Sequence, residues 1–407
     1  MPDKESSRPG KAVLTGLAMR AFTPGSAIDK LDLFAGRLDQ IMDVLRALDQ
    51  RGQHVVLYGE RGVGKTSLAN VLGELNVTRG THTARLPSVS FNCSKKDDFS
   101  SIWNHVLRDL EVAPDQAEFL DLTPEDVRHA LNGVKQPTLV IIDEVDRLDH
   151  DADTHTLLAD TVKTLSDHSS LVTLVLVGVA DSVEGLIGEH PSTERALAQG
   201  LMPRMSTKEL GEIVDKGLSA LKMGISTAAR TRVTQLSEGL PHYTHLLTLF
   251  AVQRAIADDR REVQDADVNS AITMAEKKAQ HTIKSAYQRA TRSTRPGSLF
   301  ERVLTACALA DKDELGYFSA GAVREPMTAI MGKPYDIPAF ARHLNEFASP
   351  VRGDILTRSG QSRRYFYRFD NPMLQPYVIL KAISNGLVTE GQIRRLQIRR
   401  GPFPSGS

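Results

Sequence analysis

The sequence predicts an α/β protein in three parts: a wound parallel sheet, an all-helical domain and a C-terminal winged-helix domain. Three observations carry that prediction. Apolar strands alternate with helical stretches from residue 31 to 206, the pattern of a sheet wrapped by crossover helices. One of those strands runs straight into Gly59-Glu60-Arg61-Gly62-Val63-Gly64-Lys65-Thr66, a G-x-x-x-x-G-K-[ST] loop in its required strand–loop–helix setting. After Ser206 helical periodicity takes over, and only near residue 355 do two short strands return around a glycine-containing turn.

Residues 1–30 read as an N-terminal tail, since Met1 to Gly10 is polar and lacks an apolar core. The sheet domain spans 31–206. Leu33-Phe34-Ala35-Gly36-Arg37 leads into a helix reaching residue 50, with apolar residues at Leu38, Ile41, Val44, Leu45 and Leu48. His54 to Tyr58 is the first strand, and Ser67 to Leu72 starts the helix behind the glycine loop. Ser88 to Cys93 is the second strand, and Phe99 to Leu110 is helical behind the cap signals Asp97-Asp98. Leu139 to Ile142 and Leu171 to Val177 are fully apolar, as strands buried on both faces are. Met202-Pro203-Arg204-Met205 is expected to close a fifth, short edge strand, where proline is tolerated.

The helical domain covers 207–290, with Leu210, Ile213, Val214 and Leu218, then Leu246 to Ile256, then Val268 to Ala286. Arg292 to Gly297 marks a linker over 291–297. Residues 298–385 hold two apolar helices, Phe300 to Ala310 and Ala339 to Phe347. A hairpin follows, in which Ile355 to Arg358 and Tyr365 to Phe369 flank Ser359-Gly360-Gln361-Ser362; helices followed by such a hairpin suggest a winged helix. Residues 386–407 form a basic tail around Gln392 to Arg400.

Composition is that of an ordinary globular protein, and no apolar run reaches the length of a membrane span. Cys93 and Cys307 stand alone and far apart, which excludes a disulfide framework or a zinc cluster and suits a reducing cytoplasm. Net charge is zero but unevenly spread. Lys277 to Arg295 holds six basic residues and no acidic one, and Val351 to Ser407 holds ten basic and three acidic. These two segments carry +13 against −13 elsewhere. A basic back half is the electrostatic footprint of a polyanion partner.

The glycine loop is built for a polyphosphate. Its glycines let successive amides from Gly59 to Ser67 turn toward an anion, and the helix start adds free N–H groups. Lys65 reaches the β- and γ-phosphates, and the Thr66 hydroxyl ligates Mg²⁺. The apolar strand Leu139 to Ile142 ends in Asp143-Glu144. Beside the loop, Asp143 would hold the Mg²⁺ and Glu144 would polarise the attacking water. An acidic pair after a strand also serves as a helix N-cap, a role Asp146 equally supplies.

These paired motifs, Phe34-Ala35-Gly36-Arg37 and the appended helical domain resemble the AAA+ ATPases. The resemblance covers roughly residues 31–385 and is greatest to the initiator branch, the origin-recognition ATPases and their archaeal and bacterial relatives. It implies a P-loop AAA+ parallel-sheet domain with an all-α lid and a C-terminal winged helix. It places the fourth strand between the two motif-bearing strands. It implies Mg²⁺-dependent conversion of ATP and water to ADP and phosphate at a subunit interface, hence a homo-oligomer. Asp181, beside Ser182, then stands where the family keeps its first sensor, and Arg195 where it keeps an arginine finger. In Ser237-Glu238-Gly239-Leu240-Pro241-His242, His242 takes the place of the second sensor's arginine. Pro241 resembles the adenine-side proline of the signalling ATPases of the STAND group. A neutral histidine does not clamp a γ-phosphate as a permanent cation does, which implies slow or switch-like hydrolysis.

In the hairpin, Arg358, Arg363, Arg364 and Arg368 accompany Tyr365, Phe366 and Tyr367. Period-two spacing turns some of the arginines outward while aromatics pack inward, and such a wing suits the phosphates of double-stranded DNA. Two functions fit. One is a cytoplasmic ATPase that couples ATP to DNA binding. The other is a nucleotide-gated signalling or anti-phage defence switch whose winged helix contacts a protein effector.

Overall fold

The computed structural model describes residues 10–28, 31–79, 82–112, 120–149, 153–187, 195–295, 297–361 and 364–400, side chains at 31, 76–79, 82–84 and 398–400 aside. The chain divides into two compact units, one of residues 27–203 and one of residues 1–26 with 204–407.

The first unit is built on a parallel sheet of β1 (His54–Tyr58), β2 (Ser88–Asn92), β3 (Thr138–Asp143), β4 (Val172–Gly178) and β5 (Leu197–Leu201). Their order is β2-β3-β4-β1-β5, so β4 lies between the strands that carry the glycine loop and the acidic pair. Every residue of β3 and β4 is buried, which is why both read as unbroken apolar runs. Ile102, Trp103, Val106 and Leu107 of the helix Phe99–Asp109 pack on one face with Leu158, Val162 and Leu165 of Thr154–Asp167. Asp98 caps the former helix in a reciprocal box with Ser101.

The fifth strand differs from its expected place. It is Leu197–Leu201, and the Met202 amide adds one more bond to Tyr58 O at 2.7 Å before Pro203 ends the ladder. Leu197-Ala198-Gln199-Gly200-Leu201 is an edge strand of mixed polarity, so it lacks the apolar signature of β3 and β4. A Cβ at Gly200 would come within 2.6 Å of Leu57 Cδ2, so a side chain there would have to displace Leu57.

In the second unit, helices Thr207–Leu221, Thr227–Leu236, Pro241–Ala257, Asp265–Lys278 and His281–Thr291 follow one another, with two-residue strands at Gly224–Ile225 and Glu262–Val263. The expected tail over 1–30 contains a helix, Lys11–Ala21, packed with Thr207–Leu221 and Pro241–Ala257. Phe22, fully buried, lies where a Cβ at Gly217 would meet its ring. The helix escaped notice because its apolar residues form no single stripe: Leu14, Ala18 and Ala21 are buried while Val13, Leu17 and Met19 are exposed.

The C-terminal region runs helix Phe300–Ala308, strand β6 (Phe318–Ser319), helices Ala320–Met331 and Ile337–Phe347, then β7 (Leu356–Gln361) and β8 (Arg364–Phe369). These strands form a sheet ordered β6-β8-β7. Residues 359–361 are strand, not turn. Helix Leu374–Ser384 follows, and the expected basic tail contains the helix Glu390–Arg400. No helix among the described residues is long and apolar enough to cross a membrane.

Candidate nucleotide site

The site lies at the C-terminal ends of β1, β3 and β4, the side of an open parallel sheet where ligands bind. β1 turns at Gly59, whose φ of 143° and 2.5 Å Cβ approach to Met202 O exclude any side chain. Gly62 and Gly64 are also left-handed, with φ of 85° and 100°, and Gly64 opens the helix Lys65–Leu72. The loop thus curls on its three glycines, as their spacing predicts. Arg61 is exposed, while Glu60 and Val63 are buried.

Lys65 is 7% exposed, and its ammonium donates to the carbonyls of Gly59 and Glu60, both at 2.9 Å. Burial lowers its pKa to about 8, against the pull of Asp146, Asp143 and Glu60. Ser67 Oγ accepts a bond from the Ile28 amide at 3.1 Å.

Asp143 ends β3 and is buried. Its Oδ1 accepts from the Glu144 amide at 2.7 Å, and its Oδ2 is buried with no hydrogen-bond partner among the described residues. Burial raises its pKa, opposed by the neighbouring Thr66 hydroxyl and the Glu144 amide. Thr66, Lys65 and Asp143 are therefore brought together, although β4 separates the strands that carry them. Glu144 follows in a left-handed backbone, φ 57°, and its Oε2 accepts from Arg147 Nη1 at 2.6 Å.

The other expected residues are carried by other segments. Asp181 is exposed in the bend after β4. Arg195, also exposed, precedes the start of β5, which pairs with His54 at the opening of β1. It is thus a strand's length, about 15 Å, from its own chain's glycine loop. Pro241 and His242 open the helix Pro241–Ala257 in the second unit. His242 Nδ1 donates to Pro24 O, and burial lowers its pKa, leaving a neutral ring at pH 7.

The hairpin corrects the expected facing. Phe366 is 48% exposed on the outer face with Arg364, while Tyr367 and Phe369 are buried. Arg358 pairs with Tyr367 and stacks on Tyr365 at 4.4 Å; Arg368 stacks on Tyr317 at 4.5 Å. Arg363 lies outside the described residues. Arg358, Arg364 and Arg368 are therefore not one outward row, because a hairpin's paired residues share a face across strands as well as along them.

Sequence reasoning missed Arg37. It is 3% exposed, and Nη2 donates to Val63 O at 2.8 Å and Pro203 O at 2.6 Å, fastening the glycine loop to the chain beyond β5. Its position before an apolar helix was visible; its partners, 26 and 166 residues away, were not.

Comparison with known proteins agrees with this geometry. The AAA domain family matches residues 48–187. The Walker-type ATPase PABY2304 of Pyrococcus abyssi has a similar fold, with a TM-score of 0.51, 13% identity, and 88% of this chain and 99% of that one covered. Cdc6p of Pyrobaculum aerophilum (TM-score 0.46, 15% identity, 91% and 99% covered) is also similar. So is Orc1 of Aeropyrum pernix, solved with DNA (0.45, 16%, 92% and 97%). No curated protein sequence matches the chain. The chain thus carries a match to the AAA domain over residues 48–187, the segment in which the glycine loop and the acidic pair meet across β4.

Proposed function

We propose that the chain is an initiator-type ATPase that hydrolyses ATP with Mg²⁺ and couples its nucleotide state to double-stranded DNA. The observation that carries this is Asp143 Oδ2, a buried carboxylate oxygen without a hydrogen-bond partner among the described residues, near the Thr66 hydroxyl and the Lys65 ammonium. A buried polar atom left open in a folded protein calls for a ligand, and hydroxyl plus carboxylate is an oxygen set suited to Mg²⁺. Thr66 and Asp143 would hold the ion, which supplies charge neutralisation at the β- and γ-phosphates.

Gly59 to Ser67 bind the phosphates through backbone amides, and Lys65 moves from two carbonyls to phosphate oxygens. Glu144 takes the proton of the attacking water. Asp181 orients that water from the end of β4. Arg195, remote from its own loop, serves a neighbouring subunit's site in a homo-oligomer. Lys65→Ala and Glu144→Gln test the assignment: the first should lose ATP binding, and the second should bind ATP without turning it over. Retained affinity in the first, or normal turnover in the second, removes it.

The order helix–strand–helix–helix–hairpin supports reading residues 298–385 as a winged helix. Arg364 with its neighbour Arg363 is the basic pair suited to phosphates, and Arg358 and Arg368 serve through their stacked positions. An electrophoretic mobility shift at low salt with an Arg363→Ala, Arg364→Ala protein should show weakened binding. Undiminished affinity, or none in the parent, ends the DNA arm.

His242 favours a second reading. Its neutral ring, tied to Pro24, offers no permanent cation. A nucleotide-gated switch acting on a protein effector would then purify with tightly held ADP and turn over slowly; rapid turnover with freely exchanging ADP excludes it.

A further inference from the structure

We propose that Asp146 is a positioning residue: it clamps the turn that carries Glu144 to the end of β4 that carries Asp181. This rests on the reading of Glu144 as the base.

The parallel ladder between β3 and β4 reaches its last pair at Ile142 and Leu176. Past it the two strands no longer pair with each other, β3 ending at Asp143 and β4 at Gly178, and Glu144 sits on the exit from β3 in a left-handed backbone. Its carboxylate is half exposed, so packing does little to place it. Two residues on, within the single turn Val145–Arg147, Asp146 Oδ1 accepts the Val179 amide at 2.7 Å. That bond joins positions 33 residues apart and continues the β3–β4 connection where backbone pairing has stopped.

The site is shaped for this bond. A Cβ at Gly178 would lie 2.3 Å from Leu186 Cδ1, 3.0 Å from Asp146 Oδ1 and 3.2 Å from the Asp146 amide. A side chain at 178 would thus crowd Leu186 and press on the turn, and its absence lets the turn lie close against β4. Among the acids acting on Lys65, Asp146 is first, ahead of Asp143. Asp146 thus stands within the charge field of the phosphate lysine while its own oxygen is engaged on backbone. A base and a water-orienting residue on two strands work together only if their separation is held, and a misplacement of about 1 Å costs on the order of a hundredfold in rate. Asp146 is the group that holds it.

The test separates geometry from charge. Asp146→Asn keeps the accepting oxygen and removes the charge. Asp146→Glu keeps the charge and displaces the oxygen. Asp146→Ala removes both. At saturating MgATP the Asn protein should keep kcat within about threefold of the parent. The Glu and Ala proteins should fall by about tenfold or more, with MgATP affinity within about threefold in all of them. Full-speed Glu or Ala proteins, an Asn protein as slow as the Glu one, or affinity lost in step with kcat each overturn the clamp. Should the Ala protein not fold, the Asn and Glu pair decides alone. Glu144→Gln measured alongside distinguishes the two claims. Normal turnover there sinks the base assignment, whereas its loss beside a full-speed Asp146→Glu protein sinks only the clamp.

Discussion

The two units bury charge in opposite ways. In the sheet unit, Asp143 keeps an oxygen with no hydrogen-bond partner among the described residues, and Lys65 is buried on carbonyls with its pKa lowered to about 8. In the helical unit, buried charge is matched. Arg232, 7% exposed at its side chain, is shared among Glu390, Asp265 and Asn269. Arg204 donates to Glu238 O and Gln375 Oε1, and Gln375 returns to the Glu238 carboxylate and Ala308 O. Gln397 of the C-terminal helix joins the same carboxylate at 2.9 Å. Matched buried charge fixes one arrangement of helices, here tying the lid to the C-terminal region. Unmatched buried charge is retained at a cost and marks where a ligand completes the set.

That contrast can be broken experimentally, beginning with its largest expected effect. Lys65→Ala should weaken ATP binding by more than about a hundredfold in an equilibrium titration, while thermal stability holds or rises, because a buried charge is gone. Glu144→Gln should leave ATP affinity near the parent value and lower single-turnover hydrolysis by about a hundredfold or more. Arg232→Ala should do the reverse. It strands Glu390 and Asp265, costs about 3 kcal/mol in denaturant unfolding, and leaves ATP affinity unchanged.

Acid should affect both units alike, through His54 in β1 and His245 in the helix Pro241–Ala257. Burial lowers both pKa values from 6.5 to about 4. His54 Nδ1 accepts the Leu174 amide at 3.0 Å, which requires the neutral ring. A folded pKa below the unfolded one means that the unfolded chain takes up the proton first. The stabilisation is complete above pH 6.5, declines as pH falls toward about 4, and changes no further below that. Each histidine contributes about 3 kcal/mol over that window. Replacing His54 with Gln should flatten the pH profile of unfolding; an unaltered profile would mean the ring is not held neutral. The smallest expected effect is at Arg364, whose replacement by Ala should weaken DNA binding a few-fold and reduce the salt slope by about one.

Most of the sheet unit was legible because its signals are local. β3 and β4 are buried on both faces and spell themselves in apolar residues, and the glycine loop is a contiguous pattern flanked by a strand and a helix. The edge strand Leu197–Leu201 was not legible, since one exposed side removes the apolar run. The helix Lys11–Ala21 was hidden because apolar residues lie on its exposed side, at Val13, Leu17 and Met19, as well as on its buried one. In the hairpin, alternation along one strand was readable. The cross-strand pairing that sends Arg358 to the Tyr367 face depends on register, which a lone strand does not carry.

The sequence by itself determined the phosphate loop, the two buried strands and their acidic exit, because glycine spacing and hydrophobic period act over a few residues. Tertiary structure alone decided which charges meet. The strand order brought Asp143 to Thr66, Arg37 to Val63 and Pro203, and Asp146 to Val179; it also placed Arg195 at the far end of the sheet. Electrostatic partners are chosen by distance in space, and chain-local propensity contains no such distance.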